Sequence, residues 1–157
     1  MDRVAVVTGA ASGMGLAIAR HLAALGNPVG LLDLQADAAL GAAQELRDKG
    51  APAVGVAADV TNRAAVDAAL AEVRAQLGPI GIMVTAAGIG AFASFTKITS
   101  EMWDRVLAIN LTGTFTCLQA VVPDMREARW GRIVTISSSS AQSGAPRMAH
   151  YVAAKAG

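Results

Sequence analysis

The sequence predicts an α/β domain built on a doubly wound parallel sheet with helices on both faces. Three observations carry this. Short β-branched apolar runs end at Gly9, Asp33, Asp59 and near Gly88. Amphipathic stretches with helical spacing separate those runs in strict alternation. The first run passes into its helix through a glycine-rich turn, Gly9-Ala10-Ala11-Ser12-Gly13-Met14-Gly15. At 157 residues, 54% of them hydrophobic, the chain reads as one domain, residues 1–157.

Each element follows from its own pattern. Residues 3–8 form an apolar run that reads as a strand buried on both faces. Ile18, Leu22 and Leu25 give the first helix its stripe, and Gly26-Asn27-Pro28 closes it. Val29 to Leu32 make a second strand that stops at Asp33. Leu40, Ala43 and Leu46 mark a helix over 36–49 with Gly50 as its stop, and 53–58 is the third strand, ending at Asp59. Thr61 is the expected cap of a helix buried along Val66, Leu70, Val73 and Leu77. Residues 80–84 are the fourth strand, and 85–90 loosen into a loop. A long helix is expected from Thr99 to Arg126, buried along Trp103, Leu107, Asn110, Thr114, Leu118 and Val121, with Pro123 kinking it or ending it early. Arg132 to Ser137 is the fifth strand, 138–146 a loop, and the last helix carries Tyr151 and Lys155.

Composition removes several function classes. A net charge of +1, with no basic block, argues against nucleic acid or a membrane surface as partner. Aromatic residues are too scarce for base-stacking platforms. The single cysteine, Cys117, allows no internal disulfide, and His21 and His150 have no companions at metal-ligand spacing, so no metal is expected. The N-terminus runs directly into a strand pattern without a signal peptide, and charges, Gly and Pro break every apolar stretch before membrane-spanning length. The expectation is a cytoplasmic enzyme or binding domain.

The chemistry is carried by residues at strand ends, where ligands lie in sheets of this kind. In a strand–turn–helix unit, glycines let the backbone approach a pyrophosphate, whose charge then meets the helix N-terminus. Asp33, 18 residues after Gly15, stands where a carboxylate takes the ribose 2′-hydroxyl of a dinucleotide and repels a 2′-phosphate. NAD is therefore favoured over NADP. The glycine spacing is G-x-x-x-G-x-G rather than the general G-x-G-x-x-G. Tyr151 and Lys155 stand at i and i+4 on one helical face, so an ammonium can lie beside a phenol. A free phenol, with a pKa of about 10, is a poor base near neutrality, and a neighbouring cation favours its ionised form. Asn110 falls on an apolar stripe where an unpaired amide is costly, so it is either a functional group or a structural asparagine satisfied by nearby backbone. In the serine run, Ser137 or Ser139 could be the inward one in place of Ser138.

Taken together, Thr8-Gly9-Ala10-Ala11-Ser12-Gly13-Met14-Gly15 with Asn110, Ser138, Tyr151 and Lys155 resembles the short-chain dehydrogenase/reductase family, in its single-domain branch with a T-G-x-x-x-G-x-G pattern. Ser138 precedes Tyr151 by thirteen residues and Lys155 follows it by four. The resemblance implies a Rossmann-type fold and an NAD-dependent oxidoreductase moving a hydride between nicotinamide and a secondary alcohol or ketone. Within it, Tyr151 is the general acid/base, Lys155 tunes it and binds the nicotinamide ribose, Ser138 holds the substrate oxygen, and Asn110 fixes a water. Gly9, Ser12, Gly13, Met14 and Gly15 line the pyrophosphate, Asp33 the adenosine ribose, Asp59 and Val60 the adenine, and Ala87 and Gly88 the other ribose. An NADPH-dependent reductase of acyl-carrier thioesters, or a non-catalytic dinucleotide-binding module, are the alternatives.

Two departures stand out. Thr85-Ala86-Ala87-Gly88 replaces the family's Asn-Asn-Ala-Gly, which is expected to weaken a link between central strands without touching the chemistry. The chain also stops at Gly157, before the final strands seen in relatives. The expectation is an N-terminal portion of a longer enzyme, inactive by itself, with its fifth strand at an exposed edge. The resemblance further implies a homo-oligomer, a tetramer or dimer. Ala91, Phe92, Phe95 and Ala145 suggest a moderately hydrophobic small-molecule alcohol or ketone.

Overall fold

Five strands form one wholly parallel sheet in the computed structural model, which describes residues 3–157. They are β1 (Val4–Thr8), β2 (Val29–Asp33), β3 (Ala53–Ala57), β4 (Ile80–Thr85) and β5 (Arg132–Thr135), in the spatial order β3-β2-β1-β4-β5. The helices are α1 (Gly13–Ala24), α2 (Ala36–Asp48), α3 (Arg63–Leu77), α4 (Ser100–Leu107), α5 (Gly113–Glu127), α6 (Ser140–Ser143) and α7 (Ala149–Ala156). Order reverses at β1: the chain first winds outward through β2 and β3, then returns to place β4 on the other side. In register, Thr8 pairs with Leu32 and Thr85, and Thr85 with Thr135, so the strand ends share one edge.

Both faces of the sheet are covered. Val4, Val6 and Met83 join Val66, Leu70 and Val73 of α3 and Cys117 and Val121 of α5 in one core. Val7, Leu31 and Val84 join Ala19 of α1 and Ala43 and Leu46 of α2 in the other. Complete burial of Leu70 or Val73 is worth about 2 kcal/mol each. At the foot of β4, Asp124 accepts from Arg74 Nε at 2.9 Å and from the Ile80 amide at 2.9 Å, tying α3, α5 and β4 together. Burial pushes the Asp124 carboxyl upward, but the Arg74 hydrogen bond, the Ile80 amide and the guanidinium charge outweigh it and hold it below its ordinary value.

Several expectations are corrected. Leu40 is 52% exposed and Leu25 65%; the buried positions are Ala39, Ala42, Ala43 and Leu46 in α2, and Gly15 and Ala19 in α1, where small residues let the helices approach the sheet closely. Thr61 does not cap α3. Its hydroxyl is taken by Asp59 at 2.7 Å, and the side chain of Asn62, one residue nearer, accepts from the Ala65 amide. The long helix is two helices joined by a wide π turn, Ala108–Thr112. That turn inserts an extra residue and shifts the buried stripe to Val106, Asn110, Gly113, Cys117 and Val121, leaving Trp103 at the surface and Leu107, Thr114 and Leu118 half-buried. Pro123 neither ends nor breaks α5: it and Gln119, whose carbonyl it leaves without an amide, both face solvent. β5 stops at Thr135 rather than Ser137, and the expected loop after it contains α6. Contrary to the sequence expectation, Ser100–Glu127 is long and apolar enough by length and composition to cross a membrane. The same stretch packs through α5 against β4 and α3. The fifth strand lies at the sheet edge, as expected, and all four of its residues are exposed.

Candidate active site

Beyond the ends of β1, β2, β3 and β4 lies a cleft of about 480 Å³, at the point where strand order reverses. Gly9, Ser12, Gly13, Met14, Gly15, Asp33, Asp59, Val60, Ala87 and Gly88 all line it. The sequence reading missed Leu34, Gln35, Ala58, Ala86, Ile89 and Ile109, which line it too. Most of these flank residues that were named, and position beside a strand end was the available signal. Ile109 comes from the π turn, whose inward face no periodicity predicts.

Main chain shapes the nucleotide end of the cleft. The first turn of α1 lies so close beneath β1 that a Cβ on Gly15 would run into the Gly9 carbonyl. Gly13, at φ +51°, faces open space on its Cβ side, which leaves room for a bulky anion against the start of α1. The Asp33 carboxylate spans two segments, accepting from the Ala11 amide at 3.0 Å and the Gln35 amide at 3.1 Å. It therefore fixes the glycine-rich turn, and a carboxylate's roughly four acceptor positions leave it capacity for a ribose diol. Thr8 Oγ1 accepts from the Ala87 amide at 3.1 Å, a direct link between the ends of β1 and β4. Ala86 is partly buried against the apolar core, and the Thr85 hydroxyl is buried without a partner among the described residues.

The side chains predicted to be catalytic lie outside that lining. Asn110 and Lys155 stand behind Gly88 and line a second hollow with Thr135 to Ser137: a Cβ on Gly88 would meet Asn110 Oδ1 at 2.6 Å and Lys155 Nζ at 3.5 Å. The buried Asn110 amide clamps the loop after β4, accepting from the Ile89 amide at 3.2 Å and donating to the carbonyls of Ile89 at 3.1 Å and Val106 at 3.0 Å. Its amide is thus satisfied by backbone groups on both sides. Lys155 Nζ donates to the Ile136 carbonyl at 2.7 Å and stands 6.0 Å from the centre of the Tyr151 ring. Burial lowers the Lys155 pKa from its ordinary value of 10.5. Tyr151 is half-buried, and among the described residues its hydroxyl bonds to neither Lys155 nor Ser138. Ser138 and Ser140 are half-buried and share a contact of 2.7 Å between hydroxyls, whereas Ser137 and Ser139 are exposed. Ser137 Oγ instead donates to the Lys155 carbonyl at 2.7 Å, pinning α7 to the end of β5. Cys117 is buried in the core on α5, and burial pushes its thiol up to about 12. His150, on α7, is fully buried with neither ring nitrogen partnered among the described residues.

A glycine-lined cleft at the switch point of a parallel sheet, with a lysine behind its Gly88 wall, is the arrangement of a dinucleotide-binding type of α/β fold. The sequence profile described as short chain dehydrogenase matches residues 3–157, and the chain belongs to that family. It is 42% identical over 156 residues to D-threitol dehydrogenase of Mycolicibacterium smegmatis, covering 99% of this chain and 60% of the relative. It is 43% identical over 156 residues to 2-dehydro-3-deoxy-L-rhamnonate dehydrogenase (NAD(+)) of a Sphingomonas species, covering 99% and 61%. The structure superposes on an actinorhodin polyketide ketoreductase with NADPH at a TM-score of 0.95 and 35% identity, covering 99% of this chain and 60% of that one. The chain thus spans about 60% of the length of the relatives it matches.

Proposed function

We propose that this chain carries the cofactor site and the proton-transfer residues of an NAD-linked oxidoreductase acting on a secondary alcohol or the corresponding ketone. The observation that carries the reading is the cleft itself. It has a carboxylate, Asp33, at its ribose end and Gly88 in its wall at the other, with the Lys155 ammonium directly behind that glycine. A 2′-phosphate at the ribose end would face the Asp33 carboxylate, which is the ground for NAD over NADP.

The residues fit a dinucleotide in a stated way. Gly13 and the start of α1 receive the pyrophosphate, Asp33 a ribose, Asp59 and Val60 the adenine edge, and Ala87 and Gly88 the second ribose. When bound, the nicotinamide supplies the hydride acceptor or donor. Tyr151 exchanges the proton of the substrate oxygen, acting as general acid in one direction and base in the other. Ser138 donates to that oxygen, where negative charge develops as the C–H bond is made or broken. Lys155 holds a positive charge beside the tyrosine ring and is oriented by the Ile136 carbonyl. Asn110 keeps the Gly88–Ile89 loop in place against that lysine. The same reading takes the enzyme to be a cytoplasmic homo-oligomer, for which the exposed Phe115 and its neighbours on α5 are the available apolar face.

The test is a steady-state assay, with NAD and NADP over a panel of secondary alcohols and ketones, of these residues completed to the length of their relatives. The expected result is a kcat/KM preference for NAD that Asp33→Ala narrows at least tenfold, equivalent to about 1.4 kcal/mol. A preference for NADP that Asp33→Ala leaves unchanged supports instead a biosynthetic-type reductase. Dinucleotide binding with no turnover on any substrate supports the non-catalytic module.

A further inference from the structure

Ser138 is well defined as a contact but ambiguous as a donor. Its Oγ accepts from the Ser140 amide at 3.2 Å and lies 2.7 Å from Ser140 Oγ, with either hydroxyl able to donate. A serine hydroxyl has one proton and two acceptor positions. If Ser138 donates to Ser140, its only proton is spent inside the protein and none is left for a substrate oxygen. If Ser140 donates to Ser138, both acceptor positions of Ser138 are filled from Ser140, one by the amide and one by the hydroxyl. The remaining proton of Ser138 then has nowhere to go but outward.

We infer that Ser140 is a positioning residue whose hydroxyl donates to Ser138 Oγ and thereby commits the Ser138 proton to the substrate oxygen. The inference rests on the assignment of Ser138 as substrate-oxygen donor and adds to it a second hydroxyl. The other serines of the run do not compete for this role. Ser137 is engaged with the Lys155 carbonyl, and Ser139 is exposed and meets Ser143 only through its carbonyl. Ser140 opens α6, the short helical turn between β5 and α7, so its position relative to Ser138 is set by backbone. A chain of two hydroxyls also polarises the terminal one, since each donated bond strengthens the next. The effect is greatest when charge builds on the substrate oxygen, so it falls on the chemical step rather than on ground-state binding.

A double-mutant cycle in the full chain separates this from a merely structural role. S140A keeps the amide but removes the hydroxyl donor; kcat is expected to fall about tenfold with KM for the alcohol within about twofold and nicotinamide-cofactor affinity unchanged. S140T, which keeps the hydroxyl, is expected to return kcat to within about threefold of the parent. In an S138A background the S140A change is expected to alter kcat by less than about twofold, because its route of action is gone. Unchanged kcat in S140A overturns the inference, as does an equal loss in both backgrounds. Failure of the underlying assignment is told apart by S138A alone: if that variant keeps full turnover, Ser138 is not the donor and the site reading itself falls.

Discussion

The two ends of the cleft are built from different materials. At the nucleotide end the shaping groups are main chain and short side chains: the Gly15 approach to Gly9, the Ala11 and Gln35 amides on Asp33, and the Thr8 link to Ala87. At the catalytic end the links are side chains that reach from a helix to the backbone of a neighbouring loop or strand end. Asn110 crosses from the π turn to the loop after β4, and Lys155 from α7 to the end of β5. The approach of Gly15 to Gly9 is backbone on backbone and tolerates no added volume. The links of Asn110 and Lys155 are side chain to backbone and fail when the one group is lost. The two ends should therefore break in different observables.

The largest effect is expected from Tyr151→Phe. It removes one hydroxyl from a half-buried ring and leaves the cradle untouched. General acid/base contributions of 10²–10⁴ place the expected loss of kcat at about 10³-fold, near 4 kcal/mol in the barrier. Cofactor affinity, read by fluorescence titration, is expected to stay within about twofold. If binding and turnover fell together, the division between the two ends would be false.

Gly15→Ala is the complementary cut. Alanine inside a helix ordinarily gains up to about 1 kcal/mol over glycine. Here the new Cβ would collide with the Gly9 carbonyl, which is backbone and cannot swing away. Overpacking of this kind costs about 1–3 kcal/mol, so at mid-range strain exceeds propensity and the net change is destabilising by about 1 kcal/mol. Denaturant unfolding and cofactor titration are expected to worsen in parallel. A neutral or stabilising Gly15→Ala would show that α1 can retreat from β1 and that the cradle is softer than its geometry.

The same contrast explains what could be read from the sequence. The strand–glycine–helix–strand–acid order is a local signal, because every part of it lies within Val4 to Asp33, and the alternation of elements and the parallel sheet follow from it. What escaped depends on contacts between distant segments. The stripe over Thr99–Arg126 drifted because a π turn changes the residue count per turn, and nothing local in Ala108–Thr112 announces it. That turn is what carries Asn110 and Ile109 toward the loop after β4. Pro123 does not end α5 early: the carbonyl it strands, that of Gln119, lies on an exposed face, and which face is exposed is a tertiary property. The cap at Asn62 rather than Thr61 turned on which residue Asp59 had already engaged. Spacing named Ser138 and Lys155, but their immediate partners, Ser140 and the Ile136 carbonyl, belong to the fold.

The smallest expected effect lies at the junction of the two ends and concerns the sign of a pH dependence. Burial strips water from the Lys155 ammonium, and its hydrogen bond to the Ile136 carbonyl does not make up the deficit, so its native pKa falls below 10.5. Between that lowered value and 10.5 the unfolded chain binds more protons than the native one, so stability must rise with pH across this window. Turnover must move the other way, since the cation beside Tyr151 is being lost over the same range. Opposite slopes in one alkaline window are the signature of a cation held at a cost in stability for the sake of the site. Lys155→Met should remove the rise in the denaturant midpoint while leaving the rest of the stability profile in place. A parent protein whose stability and turnover fall together above neutrality, with the same profile in Lys155→Met, would assign the alkaline transition to some other group and remove Lys155 from the junction between cradle and chemistry.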